Sequence, residues 1–301
     1  MGKPSRKLRG FQFREFLIEF LLALCALVSV LATIAIIGVL VFETILFFRN
    51  IPVGSFFTDL QWTPLFSEKH FGILPLLSGT FLITTIAMMV ALPSGLCIAV
   101  CLSEYAPASV RKVVKPCLEI LAGIPTVVFG YFALLLVTPF LQNLLPGLSG
   151  FNALSPGIVM GIMILPWATS LSDDALQAVP ADLREAAYAL GSTRLQTSFR
   201  VVIPAAFSGI TAAFFLAVAR AIGETMIVTI AAGQQAKLTI NPLEPAQTMT
   251  AYIVQVSLGD TEAGTIEYQT VFVIGMTLFV LTLLLNLVSE HFKKRFQEAY
   301  Q

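Results

Sequence analysis

Two charges stand where a membrane segment should have none. In ARAIGETMIV, Ala219 to Val228, Arg220 and Glu224 interrupt an otherwise uncharged stretch running from about Ala205 to Ala232. A charge near mid-bilayer costs on the order of 3 kcal/mol on insertion scales, so such residues face a protein interior or an aqueous path. On a continuous helix the i, i+4 spacing puts both on one face, where they can pair, although Arg before Glu is the weaker orientation. Two chemistries fit. Either the pair fixes packing against a neighbouring helix, or Arg220 offers its planar fork to a passing oxyanion. In the second case Glu224 holds the guanidinium in place and keeps the anion from binding too tightly to leave.

Little else in the chain suggests chemistry. Cys25, Cys97, Cys101 and Cys117 sit in or beside apolar segments with no metal-binding spacing, and are expected as small buried apolar side chains. His70 and His291 lie near opposite ends without a partner at ligand spacing, so no metal or haem site is expected. Net charge is zero, which gives no reason to expect a nucleic-acid partner. No GxxxxGK[ST] phosphate loop occurs, so the chain is not expected to be an ATPase or to bind a cofactor.

The elements that must hold Arg220 and Glu224 are membrane helices. Hydrophobic residues make up 56% of the 301 and charged residues 12%, with a mean hydropathy of +0.84. That is about half the charge of a soluble domain. Six uncharged runs are long enough to cross a bilayer. They lie near 17–46, 75–102 with a kink expected at Pro93, 119–140, 155–173, 205–232 and 268–289. The 53 uncharged residues between Glu119 and Asp173 turn once, at QNLLPGLSGFN, Gln142 to Asn152. Gly123 and Pro125 read as a tight bend with close helix contact. Glu43, Glu119 and Glu290 read as solvated helix ends. The first run, preceded by Lys3, Arg6, Lys7, Arg9 and Arg14, is too long for a signal peptide and is expected to stay as a helix.

Lys and Arg are sorted: 14 of 18 fall before the first helix, in 104–115, in 173–200 and after the sixth helix. The positive-inside bias therefore places both termini in the cytoplasm. The expected organisation is a cytoplasmic segment 1–16, a six-helix domain 17–292 and a cytoplasmic tail 293–301, all α. Outer segments 47–72 and 233–267 either dock an external partner or merely connect.

The cytoplasmic loop 177–204 is longer than a connection needs. Within it, VPADLREAAYALGSTRLQTSFRVVIP, Val179 to Pro204, predicts a short helix opened by Pro180, favoured by Asp182 at its positive end and stopped by Gly191. Leu183, Ala186, Ala187 and Leu190 make a narrow apolar stripe suited to a groove on a soluble partner. The spacing Glu185-Ala186-Ala187, three residues, Gly191, nine residues, Val201, one residue, Ile203-Pro204 closely resembles the EAA loop of ABC importer permeases. That resemblance implies a MetI-like permease fold and a coupling role for Asp182, Glu185, Ala186, Ala187, Gly191 and Pro204. It also implies ATP hydrolysis by a dimeric cytoplasmic ATPase in trans.

ARAIGETMIV further resembles the RAIGET signature of phosphate-specific importer permeases in their C-type subunit, as does LAGIPTVVFG, Leu121 to Gly130, together with WTPLF and FGILPLLSGT. The resemblance spans about residues 60–290. It implies an inorganic phosphate importer in a bacterial cytoplasmic membrane, with an A-type second permease and a periplasmic or lipid-anchored phosphate-binding protein. Arg220 and Glu224 would then lie on the substrate path. Three alternatives stay open: a permease for another oxyanion or small polar solute, an ion-coupled secondary transporter, and a phosphate-sensing membrane subunit.

Overall fold

Hydrocarbon offers no partner to a backbone N–H or C=O, so every apolar run has to close its own hydrogen bonds as a helix. A computed structural model follows this rule. It describes residues 6–259 and 261–297, and the side chains of residue 15 and of 17–292 other than 108 and 260. Among the described residues extended pairing is limited to isolated bridges between Trp62 and Phe71 and between Gly233 and Ala246.

In chain order the helices are α1 (Arg6–Asn50), α2 (Val53–Thr58), α3 (Leu74–Val100), α4 (Ala108–Ala122), α5 (Thr126–Phe132), α6 (Thr138–Leu144), α7 (Leu154–Gln177), α8 (Ala181–Ala189), α9 (Arg194–Thr197), α10 (Ile203–Ala205), α11 (Phe207–Ile222), α12 (Met226–Ala231), α13 (Met249–Ser257) and α14 (Ile266–Gln297). π-helical turns at Cys101–Tyr105, Ala133–Val137 and Ser198–Val202 extend α3, join α5 to α6 and join α9 to α10. Among the described residues five stretches are long and apolar enough to cross a membrane: Leu17–Asn50, Leu74–Tyr105, Thr126–Leu144, Leu154–Gln177 and Ile266–Phe292. A sixth is the pair Arg194–Ala205 and Phe207–Ile222, bent by 71°.

α3 and α7 form the centre of the bundle, with Ile83, Ala87 and Ala91 of one against Val159, Met160 and Ile164 of the other. α11 packs onto both, α14 packs onto α11, and α1 lies along α14. Pro93 sits inside α3 without ending it. Most of α1 is bare apart from α14, a surface left to lipid or to another subunit, while Phe47 near its outer end is buried.

Two membrane helices depart from expectation because each is broken. The third starts at Thr126 rather than near 119, since Gly123, Ile124 and Pro125 separate it from α4. Residue 119 thus belongs to a preceding amphipathic helix that carries Arg111, Lys112 and Lys115. The fifth was expected to run through 205–232, but Gly223, Glu224 and Thr225 divide α11 from α12. The outer halves α5 and α12 then pack on each other at Gly130, where an added Cβ would lie 2.8 Å from Ile230. Gly123 supplies the bend but not the contact, its nearest approach to such a Cβ being 3.4 Å. All four cysteines are exposed on the isolated chain rather than buried, which hydrocarbon permits because a thiol is only weakly polar.

Neither outer segment is a bare connector. Phe56, Trp62 and Phe71 join Phe47 and Tyr252 of α13 in a cluster of edge-on rings, with Trp62 and Tyr252 centroids 5.1 Å apart. α13 packs on α14, α12 and α3, and its residues Met249 to Tyr252 are buried. On the surface of this cap His70 pairs with Asp59 and Lys69 with Glu267.

Two outcomes follow from this packing. Replacing a helix-interior Gly by Ala ordinarily gains up to about 1 kcal/mol. At Gly79 in α3 the new methyl would lie 2.3 Å from the Gln247 carbonyl oxygen, so the sign reverses to a loss of about 1–3 kcal/mol. Thermal unfolding of the purified complex reads it, with Gly38→Ala, which meets nothing within 4 Å, as the tolerated control. Burial opposes the Asp59 charge, but the Gln61 N–H and the His70 ring 2.9 Å away outweigh it and hold the carboxyl below its ordinary value. A carboxyl whose folded pKa is depressed stabilises above its unfolded pKa, and that contribution is lost as pH falls through the folded value. Asp59→Asn is therefore expected to lower the unfolding temperature at neutral pH, and its difference from wild type to fade as pH falls through the depressed folded value. The effect should not exceed about 1 kcal/mol for a pair this exposed.

Candidate functional site

The break in the fifth membrane helix decides what Arg220 and Glu224 can do. Gly223 caps α11, and the Glu224 carboxylate turns onward to accept the first free N–H groups of α12, from Met226 at 3.1 Å and Ile227 at 3.5 Å. A carboxylate there satisfies donors that lipid cannot and complements the positive helix end. Thr250 donates to the Glu224 carbonyl at 2.7 Å and ties the break to α13. The expected Arg220–Glu224 ion pair is therefore not formed: the helix that would have aligned the two side chains stops between them. Arg220 lies instead over the indole of Trp167 on α7, its guanidinium carbon 4.7 Å from the ring centroid. Its buried Nε has no hydrogen-bond partner.

Arg220 and Trp167 open into a cavity of about 350 Å³ between α7, α4 and the inner end of α3. Glu119, Lys115, Thr169 and Asp173 also line it. Glu119, read from sequence as a solvated helix end, is here a wall of the cavity. Asp173 is fully buried, and its Oδ2 accepts from Arg111 at 2.7 Å and Gln177 at 2.7 Å, with Lys115 at 3.4 Å. These contacts bind α4 to α7. The charged groups that line the cavity are Arg220 and Lys115 on one side of the balance and Glu119 and Asp173 on the other.

On that face the 177–204 loop is folded as two short helices and a bend. Pro180 leads into α8 in extended geometry, with Asp182 in the first turn. Gly191, at φ +83°, ends the helix in a Schellman arrangement, its N–H bonded to the Tyr188 carbonyl and that of Ser192 to the Ala187 carbonyl. Thr193 and Gln196 form a reciprocal capping box that opens α9, and Pro204 sits in α10 just before the 71° bend. The expected apolar stripe is split. Ala187 is buried against the protein, whereas Asp182, Glu185, Ala186 and Leu190 are exposed, Leu190 at 88%. The outward surface is thus made by Glu185, Ala186 and Leu190, and Ala187 anchors the helix from behind.

One residue that sequence reading did not single out holds α8 in place. Arg184 donates to Glu104 at 2.9 and 3.2 Å, to the Leu176 carbonyl at 2.8 Å and to the Val179 carbonyl at 2.7 Å. A single guanidinium so joins α8 to the carbonyl end of α7 and to the π turn that ends α3. Trp167, Asp173 and Glu104 were also missed. Their only sequence signals were an aromatic that follows Pro166 in an apolar run and acidic residues at the ends of apolar runs. Arg184→Met is expected to destabilise the protein by about 2–4 kcal/mol, because it strands the Glu104 carboxylate, which is only 5% exposed. Glu104→Gln, which keeps an acceptor, should cost less than half as much. Thermal unfolding and protease sensitivity of 177–204 measure both.

The geometry has counterparts. Residues 91–298 match the family described as binding-protein-dependent transport system inner membrane component. The chain is 36% identical over 274 residues to the probable ABC transporter permease protein YqgH of Bacillus subtilis, covering 90% of this chain and 88% of that one. It is 35% identical over 261 residues to the phosphate transport system permease protein PstC of Mesorhizobium japonicum, covering 80% and 78%. Among solved structures, a bacterial ABC transporter involved in the import of the acidic polysaccharide alginate superposes with a TM-score of 0.64 at 16% identity over 97% of this chain and 99% of that one. The MetNI methionine ABC transporter superposes with a TM-score of 0.55 at 17% identity over 75% and 94%. Those structures share the fold, a MetI-like permease. By sequence and by fold, this chain belongs to the binding-protein-dependent transport system inner membrane components, a multi-pass family of the inner membrane.

Proposed function

We propose that this chain is the C-type permease subunit of an ATP-driven importer that carries inorganic phosphate into the cytoplasm. The observation that carries the substrate is Arg220: a guanidinium in the bundle, laid on Trp167 with an unpartnered N–H and facing a cavity. An always-charged planar donor of this kind suits an oxyanion, and its neighbour Glu224 is occupied elsewhere. The permease named PstC, similar over four-fifths of this chain, supports phosphate over another oxyanion.

In this reading an A-type permease covers the exposed membrane face, and a periplasmic or lipid-anchored binding protein delivers phosphate onto the outer cap. A dimeric ATPase grips Glu185, Ala186 and Leu190 from the cytosol. ATP is bound and cleaved by that partner, and no cofactor is assigned to this chain. Closure of the ATPases pushes α8, and Arg184 hands the movement to α3 and α7 together, so the path opens alternately by rigid-body motion.

Uptake by the reconstituted complex tests this. Phosphate should accumulate with ATP and continue after all transmembrane ion gradients are collapsed, which an ion-coupled carrier could not do. Arg220→Gln is expected to lower uptake about 10- to 100-fold with assembly unchanged, the loss typical of a charge-assisted hydrogen bond. Arg220→Lys should fall between, keeping the charge but not the fork. Wild-type uptake by an assembled Arg220→Gln complex contradicts a role on the path.

A further inference from the structure

The inner end of the cavity carries more unpaired polar groups than packing alone requires. Asp173 and Thr169 are fully buried and line it, yet Thr169 Oγ1 and Asp173 Oδ1 have no hydrogen-bond partner. The two oxygens of Asp173 differ sharply: Oδ2 takes Arg111, Lys115 and Gln177, and Oδ1 takes nothing. A buried carboxylate oxygen left without a donor is costly, and native structures rarely keep one without an occupant that completes it.

We propose that this inner end is a transit site for an oxyanion that still carries a proton, and that Asp173 distinguishes such an anion from one that carries none. This deepens the proposed phosphate path and rests on it. A carboxylate can only accept hydrogen bonds, so whatever completes Oδ1 must donate. Near neutral pH inorganic phosphate keeps at least one P–OH and can donate it, while its other oxygens accept from Lys115 and Arg220. Sulfate matches it in size and charge but has no hydrogen, so its oxygens would face Oδ1 in repulsion. Thr169 has one hydroxyl that serves either anion. The charges around the cavity balance, Arg220 and Lys115 against Glu119 and Asp173, so the lining as a whole does not hold an anion fast, as transit demands.

The test uses the complete complex with its partner permease and ATPases, in nanodiscs without nucleotide, with the four native cysteines replaced by alanine and Ser170→Cys as a reporter beside Thr169. Inorganic phosphate and sulfate are compared as protectants of that cysteine against a small charged thiol reagent at matched ionic strength. Phosphate is expected to protect at a concentration at least about tenfold lower than sulfate, because only sulfate leaves the buried acceptor unpaired. Asp173→Asn, whose amide can donate, should shrink that ratio to about threefold or less. Thr169→Val, which leaves the ion network intact, should weaken protection by both anions and keep the ratio. Equal protection by the two anions in the otherwise wild-type complex overturns the proposal, as does protection by neither, which would mean that water alone fills the cavity. An unchanged ratio in an assembled Asp173→Asn complex also overturns it. Phosphate uptake by the wild-type complex is measured in parallel: uptake without selective protection removes the transit site and leaves the transport function standing, whereas absence of uptake removes the function itself.

Discussion

The guanidinium of Arg184 is the joint on which the cytoplasmic half of this protein depends. α8 has nine residues, too few to persist as a free helix in water, so its shape and position must come from tertiary contacts. Arg184 supplies them in three directions, to Glu104 at the end of α3, to the last carbonyls of α7 and to the loop at Val179. Those carbonyls are the negative end of α7, where a cation is favoured by the helix dipole as well as by direct hydrogen bonds. Ala187 fills the remaining space behind α8. A short surface helix thereby becomes a rigid extension of the two most extensively packed membrane helices.

What happens beside this joint, where α11 meets α7, follows from the cost of charge in lipid. A continuous fifth helix would have paired Arg220 with Glu224 and closed both off. The break at Gly223 to Thr225 exposes the first N–H groups of α12, and Glu224 is spent on them. Arg220 is left with the face of Trp167, an interaction that shields a cation while leaving its in-plane N–H groups free for another partner. The same α7 that carries Trp167 and Asp173 ends in the carbonyl that Arg184 grips. Lever and cavity thus share the inner part of one helix.

The membrane architecture was legible because lipid imposes strong rules: length of uncharged run, sorting of Lys and Arg, and Gly, Pro and Asn at the turn 142–152. The α8 helix was legible for a different reason, since its start at Pro180 and its stop at Gly191 are local chemistry. The broken helices were not, because a single glycine in an apolar run is compatible with an unbroken helix; only the contacts of Gly130 and the capping by Glu224 show that the break is stable. The buried face of α8 was ambiguous for a similar reason, Ala187 and Leu190 being equally apolar while three-dimensional packing claims only the first. Arg184 and Glu104 are 80 residues apart and Arg111 and Asp173 are 62 apart, separations that no periodicity in one sequence can link.

The decisive measurement is site-directed crosslinking from α8 in the assembled, functioning complex. Cysteine or a photoreactive residue at Leu190, the most exposed apolar position on that helix, should capture the nucleotide-binding subunit, and the yield should change when ATP is added. The same probe at Leu238, in the outer segment, should capture no ATPase. Failure of Leu190 to reach any nucleotide-binding partner, or labelling of Leu190 by an impermeant reagent from the external side, would contradict α8 as the lever that couples ATP hydrolysis to this permease.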